Sequence, residues 1–168
     1  TSEIINTQPK PLPLHTINNF VTFEAFTDGS TLGNGGKNAL GGIGIFFPQS
    51  TDAKNISLNY AKFVIENPEY SMNKATNNIT ELLAILIAIQ VLTKKYITSF
   101  PNKLLTDLRI IIYSDSEYSI NCITKWAPTW QKNGWKKKGS KKNDNEIKNL
   151  DIIKKIYYLF TKQRIKFV

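Results

Sequence analysis

The sequence predicts an α/β fold in which helices flank a mixed β-sheet. Three consecutive segments with strand character follow an N-terminal arm, and helical and strand segments alternate from there to the end of the chain. A length of 168 residues suits one domain whose core can fold without disulfides or a structural metal. No internal repeat is visible.

The first strand is predicted from Phe20 to Thr27, where apolar side chains alternate with polar ones. A glycine-rich turn is expected to follow, from Gly29 to Gly44. Two further apolar runs, joined by a polar loop, have the composition of strands. They span 43–47 and 56–64.

The segment from Asn78 to Tyr96 is predicted to be a helix, and apolar residues cover most of its circumference. Such a helix is typical of a buried, central position. The run Leu108–Tyr113 suits an interior strand buried on both faces. A helix with a break near Pro128, a second helix and a final strand complete the order. Their predicted bounds are 117–130, 149–162 and 164–168.

Residues 1–19 are interpreted as a linker or arm, because they contain three prolines and show no hydrophobic periodicity. They include the one histidine, His15, which we expect to be an exposed linker residue. No secretory signal is apparent, and the most apolar run, 82–92, is shorter than a membrane span requires. The single cysteine, Cys122, excludes an internal disulfide. We therefore expect an intracellular protein of the cytoplasm, nucleus or mitochondrion, with no membrane partner.

The formal net charge of +9 favours a polyanionic partner. Between Gln131 and Lys148, seven lysines face two acids, a local excess of five positive charges. A solvated lysine-rich loop would also explain this stretch. Three tryptophans interleave with the lysines, at positions 126, 130 and 135, and aromatic side chains beside lysines suit contact with sugar and phosphate.

Three acids lie at positions that could meet at one site. Asp28 is predicted to end the first strand, Glu81 to lie in the first turn of the buried helix, and Asp115 to end the interior strand. Sites in open α/β sheets form outside the carboxyl ends of strands, so these side chains could converge there. Carboxylates without nearby Cys or His suit Mg²⁺ or Mn²⁺ rather than Zn²⁺.

Each acid also has an ordinary structural explanation. Asp28 with Gly29 is a common turn dipeptide. Asn78 and Glu81 have the spacing of a capping box, and Asp115 could cap the helix that follows it. Spacing and composition alone leave these alternatives open.

Four blocks of residues occur in a particular order along the chain. They are Thr27-Asp28-Gly29-Ser30 with Gly33-Asn34 and Gly42-Ile43-Gly44; Thr76-Asn77-Asn78 with Glu81-Leu82; Tyr113-Ser114-Asp115-Ser116 with Tyr118; and Trp126, Trp130 and Gly134-Trp135-Lys136. Together these blocks resemble the catalytic domain of ribonuclease H of the cellular type 1 kind, including its basic protrusion. The resemblance extends over nearly all of residues 20–168.

This resemblance implies a ribonuclease H-like fold with a mixed five-stranded sheet, three antiparallel strands followed by parallel ones. It implies an endonuclease that cuts the RNA strand of RNA–DNA hybrids with two Mg²⁺ ions, for which Mn²⁺ can substitute. Asp28 would bridge both ions, Glu81 and Asp115 would each hold one, and Gly29 would belong to the metal site. The products would carry 5′-phosphate and 3′-hydroxyl ends.

The resemblance also implies how the hybrid is bound, by a chain that we expect to be a monomer. Gly29, Asn77 and the backbone beside Ser30 would contact 2′-hydroxyls of the RNA strand, the groups that distinguish RNA from DNA. The other implied contacts, with Thr76 near a DNA phosphate and the tryptophan and lysine protrusion along the DNA backbone, involve Asn34, Thr76, Asn78, Ser116, Trp126, Trp130, Trp135, Lys136, Lys137 and Lys138.

The chain departs from the family pattern at three places. The family's fourth carboxylate and mobile histidine lie beyond the strand that begins at Arg164, and the chain stops at Val168, so we expect a domain that lacks its final histidine loop and C-terminal helix. Such a chain would have severely reduced activity and exposed apolar sheet surface. Glu117 stands where many relatives have Gln, and the segment 35–40 is longer than usual.

Two other functions remain open from the sequence. One is a non-catalytic module that binds hybrids. The other is the ribonuclease H part of a retroelement polymerase, with residues 1–19 as its connection.

Overall fold

The computed structural model describes residues 20–48, 52–70, 74–136 and 147–168. One sheet has five strands in the order β3-β2-β1-β4-β5. The strands are β1 (Val21–Leu32), β2 (Leu40–Phe46), β3 (Ile56–Asn59), β4 (Leu108–Ser114) and β5 (Arg164–Phe167). The pairs β1–β2 and β2–β3 are antiparallel, whereas β1–β4 and β4–β5 are parallel. The predicted mixed five-stranded sheet is confirmed.

Five α-helical segments flank or join the strands in the described part of the chain. They are α1 (Tyr60–Glu66), α2 (Asn77–Ser99), α3 (Glu117–Asn121), α4 (Ala127–Lys132) and α5 (Leu150–Lys162). A π-helical turn, Cys122–Trp126, connects α3 to α4. The predicted arm at 1–19, with His15, lies outside the described residues, and so do Lys137 and Lys138.

The core lies between one face of the sheet and helices α2 and α5. Phe23 and Ala25 of β1, and Ile110 and Ile112 of β4, are buried on that face. Helix α2 has 23 residues, so by length and composition it could cross a membrane, and the expectation that the apolar run is too short is wrong. Half of its most apolar window is buried within the protein, against the sheet and α5, and this packing accounts for its composition.

Strand β1 is longer than predicted. The expected end at Thr27 is wrong, because the strand continues to Leu32 and pairs residue by residue with β2, Gly29 opposite Ile43 and Leu32 opposite Leu40. Several of the glycines that suggested a long turn therefore lie in the paired strands β1 and β2. The true turn, 33–39, contains Gly33 and Gly35 at φ of +67° and +74°, which favour glycine.

The predicted strand 56–64 is wrong in its second half. The strand ends at Asn59, whose side-chain oxygen accepts a hydrogen bond of 3.2 Å from the Lys62 backbone N–H and thereby caps α1. Tyr60, Phe63 and Val64 then recur at the spacing of one helix face, and they pack against the core.

The later helices differ from the prediction mainly at their ends. Helix α2 begins at Asn77 and ends at Ser99, beyond the predicted 78–96. Pro128 does not break the segment 117–132, because it lies in the first turn of α4, where a missing N–H is tolerated. Helix α5 begins at Leu150, after Asn149 in a left-handed conformation with φ of 61°.

Candidate active site

The structure brings the three predicted carboxylates together. One oxygen from each of Asp28, Glu81 and Asp115 lies within 4.8 Å of the others. Asp115 follows the last residue of β4, and Asp28 lies one residue beyond the last β1–β4 pair, Thr27 with Ser114. Asp28 does not end its strand as predicted, but it does lie where the parallel pairing ends. The aspartates are therefore neighbours at the carboxyl end of the parallel strands.

Helix α2 supplies the third carboxylate through a close backbone approach to β1. A Cβ added to Gly29 would lie 2.4 Å from both the Glu81 nitrogen and the Thr80 carbonyl carbon, so only glycine fits there. The Gly29 backbone N–H also donates to the Glu81 carboxylate. Glu81 lies in the second turn of the helix rather than the first, since α2 starts at Asn77.

Glu81 is buried, with 9% of its surface exposed, whereas Asp28 and Asp115 are exposed. Burial, helped by the nearby charges of Asp28 and Asp115, raises the pKa of Glu81 to about 7, against the Gly29 hydrogen bond, which lowers it. The Glu81 Oε2 atom is buried without a hydrogen-bond partner among the described residues. An all-oxygen cluster with an unpaired buried carboxylate oxygen fits a hard divalent cation.

The ordinary explanations of these acids do not hold in the structure. Asp28 and Gly29 lie in β1 rather than in a turn. Thr76 caps α2, because its Oγ1 accepts a hydrogen bond of 3.2 Å from the Ile79 N–H. Ser116 caps α3 by accepting from the Ser119 N–H at 3.2 Å, which leaves Asp115 outside the capping role.

A turn beside the cluster is tied to the start of α2. The Asn34 Oδ1 accepts a 2.8 Å hydrogen bond from the Asn77 N–H, and the Asn77 Oδ1 accepts one of 2.8 Å from the Thr31 N–H. The Gly35 N–H donates to the Ala75 carbonyl at 2.8 Å. Asn34 and Asn77, predicted to contact substrate, therefore first hold this turn and helix together through their amide oxygens.

The remaining predicted contact residues divide into exposed and structural positions. Ser30, Asn34, Asn77 and Asn78 are exposed beside the cluster. Thr76 and Ser116 are partly buried, and their hydroxyls cap helices. The structure thus commits these two hydroxyls to the protein's own backbone.

The three tryptophans have different surroundings. Trp126 has 39% of its surface exposed, and its ring lies 6.1 Å from that of Tyr118 and 5.9 Å from that of Trp130. Trp135 adopts a φ of 63°, and its ring contacts Tyr157 at 5.8 Å in an edge arrangement. Trp130 and Trp135 are partly buried, so Trp126 is the tryptophan most available to a ligand.

Sequence reasoning missed Thr80 and Gly41. A Cβ on Gly41 would lie 2.8 Å from the Tyr60 Cβ and 3.0 Å from the Thr80 Cγ2, so this glycine lets β2 approach the start of α2. The Thr80 hydroxyl, fully buried, donates to carbonyls of the preceding turn at 3.0 and 3.2 Å. A glycine inside a strand was the available signal.

Comparison with known proteins identifies the family. The family model for RNase H matches residues 21–168. The chain therefore belongs to the ribonuclease H family, in agreement with the cellular type 1 resemblance.

Curated relatives support this assignment. Ribonuclease H of Schizosaccharomyces pombe is 34% identical over 140 residues, 83% of this chain and 42% of that protein. A probable ribonuclease H of Acanthamoeba polyphaga mimivirus is 36% identical, over 80% of this chain and 49% of the relative. Ribonuclease H of Clostridium botulinum is 31% identical, over 85% and 78%. The chain thus spans less than half the length of the first two relatives.

Solved structures show the same fold at low sequence identity. A type 1 RNase H with the type 2 active-site motif superposes with a TM-score of 0.55 at 19% identity, covering 89% of this chain and 63% of that one. The foamy viral protease-reverse transcriptase in complex with an RNA/DNA hybrid gives a TM-score of 0.52 at 17% identity, covering 100% and 19%. The predicted ribonuclease H-like fold is confirmed.

Proposed function

We propose that this protein is an endonuclease that hydrolyses the RNA strand of RNA–DNA hybrids, using two Mg²⁺ ions with Mn²⁺ as a substitute. The convergence of Asp28, Glu81 and Asp115 within 4.8 Å carries the proposal. Relatives named ribonuclease H, and a structural neighbour whose complex contains an RNA/DNA hybrid, support the substrate class. The products would carry 5′-phosphate and 3′-hydroxyl ends.

The three carboxylates have distinct places in this proposal. Asp28 would hold both ions, while Glu81 and Asp115 would each hold one. The Gly29 N–H orients the buried Glu81 carboxylate before any ligand arrives. When bound, two divalent ions would activate a water and stabilise the leaving 3′ oxygen of an in-line displacement.

Hybrid recognition would combine the turn beside the carboxylate cluster with the tryptophan segment (residues 126–136). The amide oxygens of Asn34 and Asn77 accept hydrogen bonds from backbone N–H groups, which leaves their amide N–H groups as donors at the surface. Such donors suit RNA 2′-hydroxyls. Trp126 and Lys136 would follow the DNA backbone, which gives sequence-independent, salt-sensitive binding. Trp130 and Trp135 would support them by packing.

A non-catalytic hybrid-binding module is the main alternative. The buried Glu81 argues against it, because holding a carboxylate near two others costs free energy that a purely binding surface has no reason to spend. We further propose that the protein is monomeric and acts inside the cell; its single cysteine, which can form no disulfide within the chain, supports the second of these proposals.

The test is cleavage of a strand-labelled RNA–DNA hybrid with and without Mg²⁺ or Mn²⁺, with duplex DNA and duplex RNA in parallel. We expect metal-dependent cuts in the RNA strand of the hybrid only, ending in 3′-hydroxyls. Asp28→Asn should abolish them. A hybrid that binds in a salt-dependent way but stays whole at every metal concentration would establish the binding module instead.

A further inference from the structure

The chain uses arginine at two positions only, and the fold brings both to one place. Among its 22 basic residues, Arg109 and Arg164 are the arginines, and the rest are lysines. They lie directly opposite each other in the parallel β4–β5 pair. Their guanidinium carbons lie 3.6 Å and 5.0 Å from the centre of the Phe20 ring. Two planar cations are thus held against a single aromatic ring.

The arginine pair carries positive charge that its surroundings leave uncompensated. Like charges directly opposite each other in a sheet destabilise it. Within the described residues, neither arginine has a carboxylate oxygen within 4.0 Å, and the ion pair found there joins Lys95 to Asp52. Glu24, diagonal to Arg109 on β1, instead accepts a 2.9 Å hydrogen bond from the Tyr113 hydroxyl.

A surface depression of about 420 Å³ lies at this pair, and it is lined by Thr22, Arg109, Arg164 and Lys166 among others. Both arginines and the lysine are exposed. The Nε of Arg164 donates to the Thr106 carbonyl at 3.1 Å, which fixes the plane of that guanidinium. The depression therefore presents three cations and a hydroxyl, with one guanidinium oriented by the backbone and both by the Phe20 ring.

This cluster is separate from the carboxylate site. Arg109 pairs with Thr22 near the amino ends of β4 and β1, whereas Asp115 follows the carboxyl end of β4. Asp115 lies six positions beyond Arg109 in the sequence, a separation that corresponds to roughly 20 Å of extended strand. A ligand held by the carboxylates would lie at the opposite end of the sheet.

We propose that Arg109 and Arg164, with Lys166, form a second nucleic-acid contact. It binds phosphodiester groups of a nucleic-acid strand other than the one held at the carboxylates. Guanidinium groups bind phosphate oxygens through paired N–H donors, and lysine cannot reproduce this fork. Stacking on Phe20 orders the forks before binding, which lowers the entropic cost of forming them. This second contact is additional to the proposed cleavage, since a ligand bound there does not need to contact the carboxylates.

The two arginine side chains make a direct test possible. In ¹⁵N-labelled protein they give two Nε–Hε signals, assigned by Arg109→Lys and Arg164→Lys. The protein, without divalent metal, is titrated with a single-stranded DNA of about 12 nucleotides, with inorganic phosphate and with hexaglutamate. We expect both signals to shift in a saturable way with added DNA. The DNA concentration at half-saturation should be at least about tenfold lower than that of inorganic phosphate or of hexaglutamate, because several phosphates of the DNA bind at once.

The matched variant is Arg109→Lys/Arg164→Lys, which keeps the net charge and removes only the forks. We expect its affinity for the DNA at this site, followed through the Phe20 amide, to fall about five- to tenfold, the effect of losing one or two charge-assisted hydrogen bonds. Cleavage of a hybrid too short to reach both ends of the sheet should be unchanged.

Four results would overturn the proposal. The arginine signals could stay still with DNA, or respond to inorganic phosphate alone, or respond more strongly to hexaglutamate. Equal DNA affinity in the double lysine variant would also overturn it. Loss of hybrid cleavage in wild-type protein would instead contradict the proposed function and leave this contact standing.

Discussion

The carboxylate cluster and the tryptophan segment (residues 126–136) are built in opposite ways. The cluster is assembled from β1, α2 and the end of β4, and its Glu81 is buried in the core. The tryptophan segment lies on one helical run and its following turn, with Trp126 exposed and its ring in contact with the rings of Tyr118 and Trp130. Substitutions in the cluster should therefore alter catalysis and stability together, whereas substitutions in the segment should alter affinity.

The largest effect is expected for Asp28→Asn. The change removes the charge of the carboxylate proposed to bridge both ions, so single-turnover cleavage should fall by about 1,000-fold or more. Hybrid affinity should stay within about twofold of wild type, since the binding surface is untouched. Asp52→Asn is the matched control, because it makes the same change at an exposed surface ion pair. A loss of affinity that matches the loss of rate would show that Asp28 contributes to hybrid binding as much as to catalysis.

Glu81→Gln should abolish cleavage and yet stabilise the metal-free protein at neutral pH. The folded-state pKa of Glu81, about 7, lies above its ordinary value of 4.5. Between these values the folded protein keeps a proton that the unfolded chain has released, so the free energy of unfolding falls as pH rises from about 4.5 to 7.

Above pH 7 this decrease is complete, and the free energy of unfolding of the wild type is then on the order of 2 kcal/mol lower than that of Glu81→Gln. Urea unfolding in chelator at pH 5 and pH 8 measures it. The variant should be more stable than wild type at pH 8, by a margin that shrinks at pH 5. A difference in the free energy of unfolding that does not change with pH would show that burial does not destabilise the charged Glu81 carboxylate.

Gly29→Ala tests the backbone contact that places Glu81. Its Cβ would lie 2.4 Å from backbone atoms of Thr80 and Glu81, so strand and helix must separate. We expect a loss of about 2 kcal/mol in the free energy of unfolding, together with weaker metal binding. Gly44→Ala is the control in the neighbouring strand, where the nearest atom is 3.9 Å away. Similar losses for the two variants would mean that the close approach is not specific.

Trp126→Ala tests the contribution of the tryptophan segment to hybrid binding. Loss of an exposed ring that contacts nucleic acid should raise KM about tenfold and leave kcat unchanged. Thr124→Ala, at an exposed position on the same π-helical turn, should change neither. A fall in kcat would indicate that the segment also positions the scissile bond.

The smallest effect is expected for Lys136→Ala. Removing one exposed lysine should weaken hybrid binding about threefold at moderate salt and lower the slope of log affinity against log salt by about 1. Lys62→Ala, on α1, should leave that slope unchanged. Fluorescence anisotropy across a salt series gives both numbers.

The first strand and the central helix could be predicted because their signals are local, whereas the order of the strands in the sheet came from the family resemblance. Alternating side chains mark β1, and an apolar circumference marks α2. The residues at which strands and helices begin and end could not be predicted, since they depend on partners distant in the sequence. Gly29–Leu32 belong to β1 only because β2 pairs with them, and Thr76 rather than Asn78 caps α2.

The candidate site was predicted through family resemblance rather than through physics. Composition could not show that Gly29 contacts α2, that Glu81 is buried, or that Ser116 frees Asp115 from capping. The π-helical turn that ends at Trp126 has no sequence signature of its own, so the exposure of that ring had to come from the structure.

The most direct test of the account is a Mg²⁺ titration followed by the backbone amide signal of Gly29, whose N–H donates to Glu81. We predict saturable shifts at Gly29, Asp28 and Asp115, with none at Arg109, and their loss in Asp28→Asn. The same titration of Trp126→Ala should match wild type. Shifts that persist unchanged in Asp28→Asn, or a Gly29 signal that Mg²⁺ does not move, would contradict a divalent-cation site at the three carboxylates.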